Sequence, residues 1–184
     1  FARRKVKVDE DRAADDYAEA ARILTTHGYH RYEVSNHARP GREALHNSVY
    51  WQGAPFLAAG PSAAAYLPSS DGFGIRVTNP PIKGWLAHTP PEREPLDATT
   101  YLLERLMTGL RTSRGVDLDT LATRTGIDPF ERFATTLEES MEAGWLVLEP
   151  AAYDGHVATQ GRRLRATDAG LLVLDAILRR FFAA

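Results

Sequence analysis

The chain has 184 residues, of which 43% are hydrophobic and 25% are charged, and these are ordinary values for a globular protein. The formal net charge of −2 lacks the basic excess that is typical of dedicated nucleic-acid binders. No apolar run approaches the ~18 residues that a membrane-spanning helix requires. Cysteine is absent, which excludes disulfides and Cys-ligated iron–sulfur clusters within this sequence. We therefore expect a cytoplasmic protein with no membrane span and no nucleic-acid partner.

The first predicted elements are a helix, a turn and a strand. Asp9 is the predicted N-cap of the helix, and Gly28 fits the left-handed position that closes it. Apolar and polar residues then alternate from Arg31 to Asn36, as in a β-strand. A helix that leads tightly into a strand is the closing half of a βαβ unit, and one strand cannot form a sheet. We therefore expect its partner strands upstream of Phe1.

The middle of the chain carries weaker signals. Residues 39–41, Arg-Pro-Gly, predict a turn, whereas residues 44–53 fit more than one structure. The apolar segment 55–68 predicts a short strand that is interrupted at Gly60-Pro61. Five prolines between residues 79 and 95 predict a stiff connecting segment and a domain boundary near residue 95.

The C-terminal part predicts helices and one β-ribbon, in a winged-helix-like order. Asp97, Asp117, Asp128 and Thr167 are predicted N-caps, and the strands are predicted in residues 145–149 and 162–167, joined by a turn at residues 153–155. The helix that begins at Asp128 is predicted to continue to Gly144, and the helix that begins at Thr167 is predicted to include Phe181. Residues 128–143 contain five acidic side chains and one basic side chain. A helix of that charge would be repelled by DNA phosphates. We therefore expect a packing or lid domain, with a winged-helix nucleic-acid binder as the least favoured alternative.

One candidate site lies in the segment His-Asn-Ser-Val-Tyr-Trp. His46 and Tyr50 are four residues apart, as are Asn47 and Trp51, so each pair would share one face of a helical turn. A planar aromatic ligand suits such a surface, and histidine is a common axial ligand of haem iron. The alternative is that Tyr50 and Trp51 pack into the core while His46 and Asn47 cap a turn.

A second set of candidates follows the predicted first strand. Glu33, Ser35, Asn36 and His37 lie at the end of this strand, where α/β barrels place groups that contact ligands. Gly60, in a segment rich in glycine and alanine, would let a ligand approach the backbone closely. The alternative is ordinary strand alternation with a turn cap at Asn36. The remaining histidines have no metal-ligand spacing, so we predict neither a metal site nor a catalytic residue in this chain.

Three segments in this order resemble a known family. The segments Gly-Tyr-His-Arg-Tyr-Glu-Val-Ser-Asn-His-Ala-Arg-Pro-Gly, His-Asn-Ser-Val-Tyr-Trp and Phe-Leu-Ala-Ala-Gly-Pro-Ser-Ala-Ala-Ala-Tyr-Leu are similar to the C-terminal part of the coproporphyrinogen III oxidase-like radical SAM proteins (the HemN family), in particular its haem-chaperone branch, HemW. The sequence departs from the family at Ser62–Ala65, where Gly-Ala-His-Ser is common, and at His37, where phenylalanine is usual.

The resemblance implies an α/β fold in two parts. Residues 1–95 would be the C-terminal piece of a partial TIM-like barrel that binds a [4Fe–4S] cluster and S-adenosylmethionine in the full-length protein, with the cluster cysteines upstream. Residues 96–184 would be a HemN-type, winged-helix-like C-terminal domain. Haem would bind near His46, supported by Asn47, Tyr50 and Trp51.

The resemblance also leaves two functions open. The favoured one is a haem chaperone that binds haem or a porphyrin and delivers haem to acceptor proteins. The alternative is an oxygen-independent coproporphyrinogen III oxidase, which decarboxylates propionate side chains oxidatively. The His-Asn-x-x-Tyr-Trp signature favours the chaperone branch.

Overall fold

The computed structural model describes residues 9–153 and 156–183, and the side chains of residues 10–11 and 151–160 are outside that description. The chain forms two compact units, Phe1–Glu43 and Ala44–Ala184, which are described separately. Within the described part of the chain, no helix combines the length and the apolar character needed to cross a bilayer.

The first unit contains helix α1 (Glu10–Thr26) and the short strands β1 (His30–Arg31) and β2 (His37–Ala38). The predicted cap of α1 is confirmed, because the Asp9 carboxylate accepts a hydrogen bond from the Arg12 backbone N–H at 3.2 Å. Gly28 follows the helix with a φ of 80°, in the left-handed region that glycine adopts without strain.

The predicted strand from Arg31 to Asn36 is wrong, because the chain reverses within it. Strands β1 and β2 pair antiparallel, and the turn between them is closed by hydrogen bonds from the Asn36 N–H to the Glu33 carbonyl at 3.3 Å and from the Tyr32 N–H to the Asn36 carbonyl at 3.2 Å. Ser35 and Asn36 are good turn formers, and their preference prevails over the short apolar alternation. The segment is therefore a hairpin, which the Tyr17 hydroxyl ties to α1 by donating to the Val34 carbonyl.

The second unit begins with a helix followed by a small antiparallel sheet. Its elements are α2 (Leu45–Gln52), β3 (Ala64–Leu67), β4 (Ile75–Thr78), α3 (Ile82–Leu86) and β5 (Glu92–Pro95), with the sheet order β3-β4-β5. The ambiguous segment 44–53 is thus helical. The strand predicted in residues 55–68 is confirmed as β3, after the interruption at Gly60-Pro61.

The predicted connecting segment of residues 79–95 is wrong, because α3 and β5 form within it. Strand β5 is an edge strand, the position in a sheet where proline's missing N–H is tolerated. The next residue, Leu96, is 4% exposed and donates its N–H to the Gly74 carbonyl at 3.0 Å. The chain therefore remains packed across residue 95, and the domain boundary there stays a prediction.

The C-terminal region contains most of the helices. Its elements are α4 (Ala98–Gly109), β6 (Val116–Asp117), α5 (Leu118–Thr125), α6 (Pro129–Arg132), α7 (Ala134–Glu142), β7 (Leu146–Tyr153), β8 (His156–Ala166), α8 (Asp168–Leu172) and α9 (Leu174–Ala183). The predicted ribbon is confirmed as the β7–β8 hairpin, and β6 adds a third antiparallel strand beside β8. The predicted turn at residues 153–155 lies partly outside the described residues.

The four predicted caps of this region are confirmed by hydrogen bonds. Asp97 accepts from the Thr100 N–H at 2.7 Å and Asp117 from the Thr120 N–H at 2.9 Å. Asp128 accepts from the Phe130 N–H at 2.8 Å, and Thr167 accepts from the Gly170 N–H at 3.0 Å. Two predicted continuous helices are interrupted, one at Phe133 and one at Val173.

The apolar faces of these helices and strands meet in one core. Leu102, Leu110, Leu118 and Leu164 are 0% exposed, and Phe133 meets Phe181 edge-on with ring centroids 5.1 Å apart. The α/β class is confirmed, while the partial barrel and the winged helix remain predictions. Every strand pairing among the described residues is antiparallel.

Candidate functional site

Helix α2 carries a row of aromatic rings. The Tyr50 hydroxyl lies 3.0 Å from His46 Nε2, and the two rings meet edge-on with centroids 5.1 Å apart. The Tyr50 ring also meets Phe56 edge-on, with centroids 4.6 Å apart. The predicted adjacency of His46 and Tyr50 is therefore present, and Phe56 extends it in a way that the helical spacing does not predict.

This aromatic row is accessible from solvent. No residue of α2 is buried, His46 is exposed and Tyr50 is 39% exposed. Asn47 and Trp51 are half-buried, and α2 packs against α4. The helix ends at Gly53, whose φ of 62° places it in the left-handed region. The polar and aromatic side chains of α2 therefore do not form a core of their own.

The hydrogen bonding of His46 leaves one of its ring nitrogens available. A neutral imidazole has one nitrogen that donates and one that accepts. Its Nε2 is engaged by the Tyr50 hydroxyl, and its Nδ1 has no partner among the described residues. An exposed imidazole with a free nitrogen beside an aromatic edge fits the donor chemistry of a haem-iron ligand.

The β1–β2 hairpin holds a buried carboxylate. Glu33 is 1% exposed, and its Oε2 accepts a hydrogen bond from the Ser35 N–H at 3.1 Å. Its Oε1 is buried and has no hydrogen-bond partner in the described part of the chain. Ser35 and Asn36 are exposed on the same turn. A buried carboxylate oxygen without a donor is costly, so this turn is suited to a donor from a ligand or from another segment.

Gly60 is a further predicted position, and it belongs to the second unit. Gly60 lies in the loop before β3 with a φ of 101°, and a Cβ added there would meet nothing within 4 Å. Its carbonyl accepts a hydrogen bond from the Asn79 side-chain amide at 2.9 Å. Within the described residues, no group of three or more His, Asp or Glu side chains is arranged to hold a metal ion.

The first unit also has an open cavity of about 350 Å³, and His37 of the second set of candidates is among the residues that line it. The residues that line it are Tyr29, His37, Ala38, Arg39 and Arg42.

Comparison with known proteins identifies the class of protein to which these features belong. Residues 96–173 match the family model described as the HemN C-terminal domain. A solved structure of coproporphyrinogen III oxidase (HemN) from Escherichia coli superimposes with a TM-score of 0.60 over 91% of this chain and 40% of that chain, at 18% sequence identity. That level of identity shows a shared fold.

Curated proteins of similar sequence narrow the class of protein to which the chain is related. The heme chaperone HemW of Synechocystis is 36% identical over 111 residues, which are 58% of this chain and 27% of that protein. HemW of Mycobacterium tuberculosis is 30% identical over 173 residues, 93% of this chain and 40% of that protein. The bovine protein named radical S-adenosyl methionine domain-containing protein 1, mitochondrial, is 31% identical over 92% of this chain and 39% of that protein.

The chain therefore belongs to the HemW/HemN-like radical SAM proteins, which confirms the family resemblance of its sequence motifs. Over these alignments it spans between 27% and 40% of the length of the curated relatives.

Proposed function

We propose that the full-length protein binds haem as a chaperone of the HemW type and that His46 is the residue that ligates the iron. The observation that carries this proposal is the exposed imidazole on α2, whose Nδ1 has no partner among the described residues. The names of the relatives that are 29% to 37% identical support the same function, since most of them are described as heme chaperones.

The neighbours of His46 have distinct roles in this proposal. The Tyr50 hydroxyl holds Nε2 and thereby orients the imidazole, as an outer hydrogen-bond partner orients a metal ligand. The rings of Tyr50 and Phe56 offer an apolar edge against which a flat macrocycle can pack. Asn47 and Trp51, on the same helix, are proposed as further contacts. Bound haem would supply an iron centre with a coordination position for the imidazole.

The same family membership implies a [4Fe–4S] cluster and S-adenosylmethionine in the full-length protein. The residues of this chain do not fit the cluster, because cysteine is absent from the sequence. For S-adenosylmethionine we propose contacts from Glu33, Ser35, Asn36 and Gly60. Glu33 has the strongest support, since its buried Oε1 lacks a donor that a bound ligand could provide.

The alternative of a coproporphyrinogen III oxidase is supported by the fold alone, because the structural likeness to HemN comes with 18% identity. Incubation of the full-length protein with coproporphyrinogen III and S-adenosylmethionine under reducing conditions separates the two functions. An oxidase removes the carboxyl groups of the propionate side chains as carbon dioxide, and mass spectrometry detects the lower mass of the tetrapyrrole. A chaperone leaves the tetrapyrrole unchanged. The acceptor proteins and the cytoplasmic location stay predictions.

The proposal is tested by titrating haem into the full-length protein and its His46→Ala variant. We expect the variant to shift the Soret band and to bind haem at least ~10-fold more weakly, equivalent to ~1.4 kcal/mol, because the iron loses a protein ligand. Tyr50→Phe should retain the Soret band with a smaller loss of affinity. His27→Ala, which removes an exposed histidine directly after α1, is the matched control. A His46→Ala variant with unchanged spectrum and affinity would exclude His46 as the ligand.

A further inference from the structure

Arg105 on α4 is partly buried and has no anionic partner among the described residues. Its Nε and Nη1 are buried and make no hydrogen bond. The second unit contains other arginines that are held in ion pairs with carboxylates: Arg76, Arg111, Arg162, Arg165 and Arg180. Arg105 differs from these five arginines because it has no carboxylate partner among the described residues and because two of its donor nitrogens are buried without an acceptor.

A cation in this position is costly for the folded chain. Burial lowers the pKa of Arg105 below its ordinary value, but a guanidinium remains charged in proteins. Leaving buried N–H donors without acceptors adds to the cost of removing the charge from water. An anion bound to this guanidinium would offset both effects.

A second guanidinium strengthens the positive field at the same place. Arg105 and Arg124 lie 5.6 Å and 4.8 Å from the centroid of the Tyr101 ring. Arg124 donates a hydrogen bond to the Gly72 carbonyl, and within the described residues it forms no ion pair. Two cations on one ring repel each other, so the pair is suited to a ligand that carries more than one negative charge.

The position of Arg105 connects this cationic pair to the proposed haem site. Its guanidinium fills the space beside Gly53, where an added Cβ would lie 1.0 Å from Nη1. Gly53 directly follows α2, the helix that carries His46. Gly53 lies seven positions after His46, which is about 10.5 Å along a helix axis. That length is of the same order as the reach from the iron of a haem to its propionate carboxylates.

We propose that Arg105, assisted by Arg124, binds the propionate carboxylates of the tetrapyrrole. A guanidinium recognises a carboxylate through charge-assisted, often bidentate hydrogen bonds, which a neutral ester cannot match. Nε and Nη1 of Arg105, which are buried without an acceptor, are donors for which a bound carboxylate would supply acceptors. The inference rests on the proposed binding of haem, and it assigns Arg105 a role in recognising the ligand that is separate from ligation of the iron.

The test compares haem with haem dimethyl ester, in which both propionates are uncharged, on the full-length protein. We expect the wild type to bind haem at least ~10-fold more tightly than the ester. Arg105→Gln should abolish most of this preference while the Soret band of the haem complex stays that of the wild type. His46→Ala should do the reverse, altering the band while the preference for haem persists. Arg114→Gln, which removes an exposed arginine that follows α4, is the matched control.

Several outcomes would overturn the proposal. If Arg105→Gln retains the wild-type preference, the propionates do not bind there. A lower melting temperature of that variant with an unchanged preference would mean that Arg105 pairs with a carboxylate of the protein itself. If Arg105→Gln does not fold, Arg124→Gln takes its place and must reduce the preference. If the wild type binds neither haem nor the dimethyl ester, haem binding itself is refuted. In the other outcomes haem still binds, so failure of the proposed function can be told apart from failure of the propionate proposal.

Discussion

The C-terminal region from residue 96 onward and the segment of residues 29–53 use the same kinds of side chains in opposite ways. In the C-terminal region the rings of Phe133 and Phe181 are buried against each other. In the other segment the aromatic helix α2 has no buried residue, and the buried carboxylate of Glu33 keeps one oxygen without a partner.

This difference separates the residues that stabilise the fold from those that are available for a ligand. Packing of apolar side chains and pairing of charges account for most of the C-terminal region, where Ser140 and Arg105 keep buried polar atoms without a partner. The exposed row of rings on α2 contributes little to a core, so its polar and aromatic composition requires another explanation. Binding of a flat ligand is the explanation that the proposed function supplies.

The largest expected effect is the loss of stability when a core side chain is removed. Phe133→Ala removes a ring that is 2% exposed and should lower the free energy of unfolding by about 3–5 kcal/mol. Urea unfolding of the full-length protein, followed by the fluorescence of Trp145 beside the core, measures the loss. Leu45→Ala, at a position of α2 that is 82% exposed, is the control and should change stability by less than about 0.5 kcal/mol. Equal effects of the two changes would contradict the contrast between the regions.

A smaller effect is expected at the start of α4. Asp97→Ala removes the carboxylate that accepts the Thr100 N–H and should cost about 1 kcal/mol of stability. Asp97→Asn retains a side-chain acceptor and should cost less. Helix α2, in contrast, has no side-chain cap at Ala44, so no such stabilisation is present at its start. The same urea titration compares the variants, and an Asp97→Ala protein as stable as the wild type would show that the cap is dispensable.

The smallest effect is electrostatic and depends on pH. The hydrogen bond from the Arg162 side chain lowers the pKa of Asp119 below its usual 3.8. A carboxyl group with a depressed folded-state pKa stabilises the protein above the unfolded-state pKa, and this stabilisation is lost as the pH falls through the folded-state value. Because the pair is partly exposed, Asp119→Asn should cost less than about 1 kcal/mol at pH 7.

The pH series provides the check on that prediction. The stability difference between wild type and Asp119→Asn should be constant near neutral pH and should shrink as the pH falls below 3.8. A difference that grows in acid would mean that the carboxylate is not stabilised by Arg162 in the folded protein.

Local signals in the sequence predict much of the C-terminal region. The caps at Asp97, Asp117 and Asp128 depend on hydrogen bonds to backbone groups two or three residues away, and such bonds need no distant partner. The hairpin at Glu33–Asn36 and the edge strand β5 were not predicted. In both cases the outcome depends on which other segment supplies the hydrogen bonds, and alternation of apolar residues does not identify that segment.

The candidate site likewise combines contacts that helical spacing predicts with contacts between segments that are distant in the sequence. Helical spacing alone is enough to place the Tyr50 hydroxyl beside His46, because residues four apart lie on one face of a helix. The contact of Phe56 with Tyr50 and the position of the Arg105 guanidinium beside Gly53 arise when the chain folds back on itself. Side chains separated by a turn or by fifty residues meet through packing, and packing depends on every element that competes for the same space.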